Sequence, residues 1–466
     1  MSSDTNESLT SVLARYVTET SDADFSPEVV HAFRRAFVDY LACALAGANL
    51  PVTAAVRRWA EAEGTRPVAT VIGSGLRLSA LEAALVNGAS AHGLDFDDGQ
   101  TRGSVHPGGV IFSAALAAAE KHGASMREFI AGVVVGYDVM LRIASTMHPA
   151  SANKGWHNTP VSGVFGAVAA ASRIWELDKA TTQHALGIAT SFAGGIREYL
   201  HDGAEVKRVH PGKAARDGLV CAGLAAEGIT GAIYGFEGED GLFRATIENR
   251  VDVGQIHDRL GENFLITTAY FKPYPCCRHF HAAIDAALEL RQEAGLASTD
   301  VAAVEIGLYS VGVRGHDHVT SRNLLEAQMS APCALASALI HGSLGAAEFD
   351  PAAFEGAEPQ RLLAATRVYV DDECERVYPG TRSGVVKLQL GDGRRLERRV
   401  LDPRGEGDKP LTDADLSRKF LGNATDALPP GRAERLLEML WAADASSDFG
   451  AICRILSETK QQGVPA

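Results

Sequence analysis

The stretch PGGVIFSAALAAAEKHGASMREFIAGVVVGYDVMLRIAST, residues 107–146, indicates the fold class of this chain. It contains two apolar runs with helical spacing, and Gly123 between them is a typical stop signal. Pro107 and two glycines open the first run, and the many Ala and Gly residues favour close approach between helices. We therefore predict two packed helices, one ending at Gly123 and the other covering residues 126–146.

The same composition extends in both directions from this stretch. Ser79 can cap a helix that runs toward His92, and further helices are predicted at 160–175, 181–199 and 211–227. Strand-like alternation is nearly absent before residue 265. Residues 1–265 are therefore predicted to form a large all-helical domain.

The pattern changes after Tyr270. Apolar and polar residues alternate along 304–308 and 386–390, and Gly391-Asp392-Gly393 then provides a hairpin turn. We predict a smaller α+β domain, a lid, over residues 266–402. Residues 403–466 return to helical patterns and are predicted to complete the first domain, so the fold class is mainly α.

The composition excludes several classes of function. The chain of 466 residues has 58 acidic and 44 basic side chains and a net charge of -14, which argues against a nucleic-acid surface. A few cations in a cleft could still bind a small anion. The seven scattered cysteines form no disulfide framework. With no signal peptide, and with the apolar stretch 129–141 too short to span a bilayer, we expect a cytoplasmic protein without a membrane role.

The first candidate cluster is HGLDFDD, residues 92–98, followed by SVHP, residues 104–107. Three carboxylates this close repel one another, so a metal, backbone amides or a neighbouring cation must stabilise them. Mg²⁺ is one option, although a second acidic cluster with suitable spacing is missing, and simple helix caps are another. His106 precedes a proline, and this turn exposes its ring at a helix start.

Three further clusters combine cations and histidines. They are KGWHNTP at 154–160 with His157, VKRVHPGKAAR at 206–216 with Lys207, and FKPYPCCRHFH at 271–281. Cations near a helix N-terminus favour an anion. Zinc is a weak alternative for the third cluster because adjacent cysteines rarely bind one ion together. No Rossmann, P-loop, nucleophile-elbow or zincin motif is present, and nothing identifies a pyridoxal-phosphate site.

In their order along the chain, HGLDFDD, SVHPGG, GWHNTPVSGVFGA, VKRVHPGKAARDGL, YGFEGEDGLF and KPYPCCRHFHAAID resemble the motifs of the MmgE/PrpD family. The resemblance covers nearly the whole chain. It implies a helical domain built from both chain ends, a small lid domain and a homodimer. It also implies an active site, where the two domains meet, that needs neither a metal nor an organic cofactor.

The resemblance assigns candidate site residues by matched motif. Asp95, His106, His157 and Lys207 are predicted to be catalytic. Lys272, from the same match, and Arg278 are predicted to contact the substrate, Arg278 as a bidentate carboxylate ligand. Cys277 and Cys333 are also predicted to contact the substrate, not by matched motif but because other cofactor-free racemases use a pair of thiols. Two positions depart from the family pattern: Gly99 replaces a frequent Thr, and Cys333 replaces a typical Tyr.

These departures favour a divergent activity. We predict cofactor-independent epimerisation of a small, iminodisuccinate-like polycarboxylate, with His106 as the base and Asp95 fixing its tautomer. One alternative is a lyase, either a 2-methylcitrate-type dehydratase or a cis-aconitate-type decarboxylase. Another is a non-catalytic helical protein that binds polycarboxylates.

Overall fold

The computed structural model describes residues 7–248 and 252–459 and is mainly helical, as predicted. The first part of the chain forms a bundle. Its longer helices are Leu9–Glu19, Pro27–Gly47, Pro51–Ala62, Ala80–Ala91, Gly108–His122, Met126–Met147, Asn158–Ile174, Lys179–Ala189 and Val206–Ala226. Short helices follow at Ala150–Asn153, Tyr199–Asp202, Leu242–Ile247 and Gly254–His257.

The longest of these helices lies inside the bundle. Met126–Met147 packs against Asn158–Ile174, and it begins with a capping box between Ser125 and Glu128. With 22 residues it exceeds the short apolar stretch expected from the sequence and is long and apolar enough to cross a membrane. However, 94% of its apolar window is buried by the rest of the protein, as is typical of a core helix.

A second core forms around a four-stranded mixed sheet. The strands run in the order Thr366–Val370, Val301–Leu308, Gly384–Leu390 and Arg395–Val400, and the first pair is parallel. The associated helices are His281–Ala294, Ser310–Val313, Leu324–Gln328, Ala331–His341, Ala357–Ala364 and Asp372–Val377. The hydrophobic residues of this core come from 274–400, whereas those of the first core come from 9–271 and 411–456.

The structure corrects several predicted elements. A two-stranded ribbon, Ala69–Val71 with Leu76–Leu78, lies within the region predicted to be all helical. It is too short to show alternation in the sequence. The helix predicted over 181–199 covers only Lys179–Ala189, and two glycines, 194 and 195, lie in the loop that follows. The helix predicted from 211 begins earlier, as Val206–Ala226, and contains Pro211.

The C-terminal helices Asp413–Ala424, Arg432–Ala442 and Phe449–Leu456 return to the first core. Lys419 on the first of them is buried. Its Nζ donates hydrogen bonds to the Asp39 carboxylate (2.6 Å), the Phe96 carbonyl (2.6 Å) and the Lys272 carbonyl (3.3 Å). The C-terminal part of the chain therefore holds in place the two loops that contain Phe96 and Lys272.

Close packing between Ala80–Ala91 and Val206–Ala226 gives a first testable prediction. A Cβ on Gly212 would collide with the Leu85 carbonyl oxygen, whereas a Cβ on Gly223 of the same helix would meet nothing. We expect Gly212→Ala to lower the free energy of unfolding by about 1–3 kcal/mol. Gly223→Ala should raise it by about 0.5–1 kcal/mol, since alanine is the better helix former. Urea unfolding measures both, and equal midpoints would contradict the proposed close contact.

Candidate active site

A pocket lies between the two cores and receives side chains from both. Its lining is rich in cations and imidazoles. The polar and aromatic residues around it are Asp95, Ser104, His106, Trp156, His157, Asn158, Arg197, Tyr199, Lys207, Tyr270, Cys277, Arg278, His279, His316 and Arg382.

Asp95 is the acidic residue of this lining, and it follows the end of helix Ala80–Ala91. Its carboxylate accepts hydrogen bonds from Lys207 Nζ (2.8 Å) and Lys272 Nζ (3.0 Å), and Lys272 also donates to the Asp95 carbonyl (2.8 Å). Burial would raise the pKa of Asp95, but the two lysines outweigh it and hold the pKa well below its usual range. The predicted residues Asp95, Lys207 and Lys272 thus form one ionised cluster.

His92 extends this cluster. Its Nδ1 donates to the Asp97 carboxylate at 2.9 Å, and its Nε2 accepts a hydrogen bond from Lys207 Nζ at 2.8 Å. Burial opposes ionisation of Asp97, but His92 and His106 lower its pKa below the usual value. Because Lys207 has three N–H donors and uses two on His92 and Asp95, the third is available to a ligand in the pocket.

Asp98 has a different role from its two acidic neighbours. Its Oδ1 accepts a hydrogen bond from the Gly108 amide at 2.8 Å, and its Oδ2 lies 2.8 Å from the Tyr137 hydroxyl. Burial raises the pKa of Asp98 well above its usual value. This carboxyl therefore accepts a hydrogen bond from the first amide of helix Gly108–His122, which agrees with the helix-cap alternative for this residue.

His106 presents one ring nitrogen to the pocket. Its Nδ1 donates to the Asp98 backbone carbonyl at 2.8 Å, so its Nε2 carries the lone pair. The nearest Asp95 oxygen is 4.0 Å from Nε2, which corrects the expectation that Asp95 fixes the tautomer. Burial, and then the positive charge of Lys272, hold the pKa of His106 well below its usual value. The ring is therefore a neutral base at neutral pH.

His157 is a second imidazole in the pocket. It precedes helix Asn158–Ile174, and its Nδ1 lies 2.8 Å from Nδ1 of His210. Burial and the neighbouring His210 hold the pKa of His157 well below its usual value. Because the two Nδ1 atoms share one proton, Nε2 of His157 carries a lone pair in one tautomer and an N–H in the other. His157 can therefore serve as a proton acceptor or donor.

Arg278 lines the pocket, but its guanidinium is already engaged. Nη1 donates to the Arg404 carbonyl at 2.8 Å, and Nη2 donates to the Pro403 carbonyl at 3.4 Å and to Glu406 at 3.3 Å. The group also lies over the Tyr270 ring, 4.4 Å from its centroid. Arg278, which was predicted to be a bidentate carboxylate ligand, therefore mainly connects its own segment to the loop at residues 403–406.

Two predicted site residues, Lys272 and Cys333, are not among the residues that line the pocket. Lys272 is fully buried and reaches the pocket only through its contact with Asp95, whereas Cys333 lies elsewhere. Cys333 is fully buried in helix Ala331–His341, where its backbone amide binds Ser330 and its Sγ lies 3.9 Å from the Thr320 carbonyl. Its substrate-binding assignment is therefore corrected: it belongs to the second core. Cys277, in contrast, lines the pocket.

The structure also explains Gly99. Its amide and carbonyl exchange hydrogen bonds with those of Tyr270, at 3.0 and 2.8 Å. A Cβ at position 99 would collide with the Tyr270 ring, which therefore occupies the space of a side chain here. A phenol does line the pocket, but it comes from Tyr270 and Tyr199 and not from position 333.

Two guanidinium groups in the pocket were missed from the sequence. Arg382 donates to Ser104 Oγ at 2.9 Å and to the Tyr270 hydroxyl at 3.3 Å. Arg197 lies beside His157 because its amide binds the Gly155 carbonyl at 2.8 Å. Neither arginine belongs to a basic cluster in the sequence. The Gly-Gly pair shortly before Arg197 could have been interpreted as a loop signal.

Together these groups can bind several carboxylates and exchange a proton with the ligand. Lys207, Arg197 and Arg382 supply positive charge, and His106 and His157 are neutral groups able to accept a proton. Such a site can stabilise the negative charge that develops beside a carboxylate when a neighbouring bond breaks.

Comparisons with known proteins identify the family of this chain. Residues 11–252 match the MmgE/PrpD N-terminal domain, and residues 274–445 match the MmgE/PrpD C-terminal domain. A cis-aconitate decarboxylase-like protein of Aspergillus oryzae is 26% identical over 96% of this chain and 97% of its own. The cis-aconitate decarboxylases of Aspergillus terreus and Homo sapiens are each 24% identical, over 98% and 97% of this chain and 97% and 95% of theirs. The chain belongs to the MmgE/PrpD family.

Proposed function

We propose that the chain is a lyase that decarboxylates a small polycarboxylate of the cis-aconitate type, using only its own side chains. The observation that carries this proposal is the pocket in which Lys207, Arg197 and Arg382 accompany the neutral imidazole of His106. The full-length similarity to proteins named cis-aconitate decarboxylases supports the reaction class.

The chemistry follows from these charges. When the bond to one carboxylate breaks, CO₂ leaves and its electron pair passes to the remaining carbon skeleton. A second carboxylate delocalises this charge, and the cations at the pocket stabilise it. A proton then has to reach the carbon, and His157, with Nε2 protonated in one tautomer, is our donor.

A second candidate reaction is proton abstraction beside a carboxylate. It is favoured by one observation: Nδ1 of His106 is held by the Asp98 carbonyl, which leaves Nε2 as a free base. Loss of a β-hydroxyl after abstraction would make the enzyme a dehydratase, and return of the proton on the other face would make it an epimerase. The relatives named above give the predicted epimerase no support, so it stays a hypothesis.

One experiment separates these reactions. The purified chain is incubated in D₂O with cis-aconitate, 2-methylcitrate and iminodisuccinate. Release of CO₂ with one deuterium in the product supports decarboxylation, whereas a new alkene absorbance without CO₂ supports dehydration. Deuterium at a carbon whose configuration is inverted, without loss of CO₂ or water, supports epimerisation. Binding of all three without turnover would indicate the non-catalytic alternative. Light scattering on the same sample tests the expected homodimer.

The lowered pKa of His106 predicts the pH dependence of turnover. In the proton-abstraction reaction His106 is the base and must be neutral, and a depressed pKa keeps it neutral until the pH falls below that depressed value. We expect kcat/KM to stay constant as pH falls through about 6.5, the ordinary histidine value, and to drop only at lower pH. A pH profile of the initial rate checks this. An acid limb centred at or above about 6.5 would contradict it.

A further inference from the structure

A group of three side chains on the pocket wall is not used by the proposed reaction. Cys277, His279 and His316 each offer one potential ligand atom, and these atoms lie within 4.8 Å of one another. Cys277 and His279 flank Arg278, whereas His316 comes from a loop 37 residues after His279. Chain folding, and not a local motif, brings them together.

We propose that Cys277, His279 and His316 form a binding site for a thiolate-preferring divalent cation such as Zn²⁺. The inference is independent of the reaction proposed above. One sulfur and two imidazole nitrogens are a ligand set that zinc uses in proteins, and a three-residue set leaves its fourth position to water or another ligand. Here that position faces the pocket.

The two imidazoles are already oriented as ligands. Nδ1 of His316 donates to the Met329 carbonyl at 2.7 Å, which leaves the lone pair on Nε2. Nδ1 of His279 lies 2.6 Å from the Tyr309 hydroxyl oxygen, and in the tautomer in which Nδ1 donates to that oxygen, Nε2 carries the lone pair and is the ligand atom. Hydrogen bonds of this kind fix the tautomer and ring orientation of metal-binding histidines.

The thiol distance also suits a metal. Cys277 Sγ lies 3.7 Å from Nε2 of His316, close to the roughly 3.5 Å between sulfur and nitrogen ligands of a tetrahedral zinc ion. Metal binding would replace the S–H···N hydrogen bond: the thiol proton leaves to solvent and the thiolate sulfur and Nε2 both bind the ion. Binding would then require only a small movement of the three side chains toward the ion.

The test uses Co²⁺ alone, because cobalt bound to a thiolate absorbs light in a characteristic charge-transfer band. The full chain, freed of metal by a chelator, is titrated with Co²⁺ beside Cys277→Ala, His316→Gln and Cys333→Ala. Cys333→Ala is the matched control, since it removes a buried thiol outside the pocket. Thermal unfolding without metal shows whether each variant is folded.

We expect one Co²⁺ per chain with a thiolate band in the unaltered chain and in Cys333→Ala. Cys277→Ala should lose the band, and His316→Gln should bind at least about tenfold more weakly, in line with loss of a zinc-type ligand. Added Zn²⁺ should raise the unfolding temperature of the unaltered chain and of Cys333→Ala but not of Cys277→Ala. Persistence of the band in Cys277→Ala, or no saturable binding by the unaltered chain, would overturn the proposal.

Discussion

For a reaction that begins with proton abstraction, His106→Asn is expected to lower kcat by roughly 10²–10⁴-fold, the usual contribution of a general acid–base residue. Asparagine can place its amide N–H near the position of Nδ1 and so keep the hydrogen bond to the Asp98 carbonyl. It has no group to replace the lone pair on Nε2. The variant should therefore fold and bind the substrate, but should not transfer the proton.

The measurement is kcat for the variant beside a matched control, His122→Asn. His122 is an exposed histidine at the end of helix Gly108–His122, away from the pocket. We expect the control to keep its activity, and calorimetry should show substrate binding by both variants. If His106→Asn keeps more than about a tenth of kcat, His106 is not the acid–base residue.

Lys207→Met should reduce both stability and turnover. Its ammonium joins the Asp95 carboxylate to His92 Nε2 within a buried cluster. Removing one partner of a buried ion pair leaves an incompletely compensated charge, and we expect the free energy of unfolding to fall by about 3 kcal/mol, the lower end of the usual range, because Lys272 still contacts Asp95. The lost donor should also lower kcat/KM by roughly 10²–10³-fold.

The control for this variant lies on the same helix. Lys213 forms a partly exposed ion pair with Asp217, and such pairs contribute about 0–1 kcal/mol. Lys213→Met should therefore change stability little and leave turnover intact. Similar urea midpoints and rates for the two lysine variants would show that the buried cluster has no special role.

Much of the fold follows from local patterns in the sequence. Gly123 ends helix Gly108–His122 in the left-handed conformation, φ 76°, and Ser79 accepts a hydrogen bond from the Glu82 amide at the start of helix Ala80–Ala91, as predicted. The strand Thr366–Val370 was missed because its residues are mostly half-buried and do not alternate cleanly. Its parallel pairing with Val301–Leu308 depends on a partner about 60 residues away.

The site was predictable where its residues share short motifs. Asp95, His106 and Lys207 come together as expected because each lies at a helix end or start that faces the pocket. The role of Arg278 could not be predicted, because the carbonyl groups that accept hydrogen bonds from its guanidinium belong to residues 403 and 404, far along the chain. Arg382 could not be predicted either, because its partner Ser104 lies 278 residues away.

The contacts of Lys419 have a consequence for how the protein is made. Phe96 and Lys272, whose carbonyls Lys419 binds, are neighbours of Asp95 and Tyr270. Residues 411–456 also complete the first hydrophobic core. Although domains usually fold in order as the chain leaves the ribosome, this first core cannot close until its last helices have been synthesised. A nascent chain that stops before residue 411 therefore lacks part of this core and the support for two loops beside the pocket.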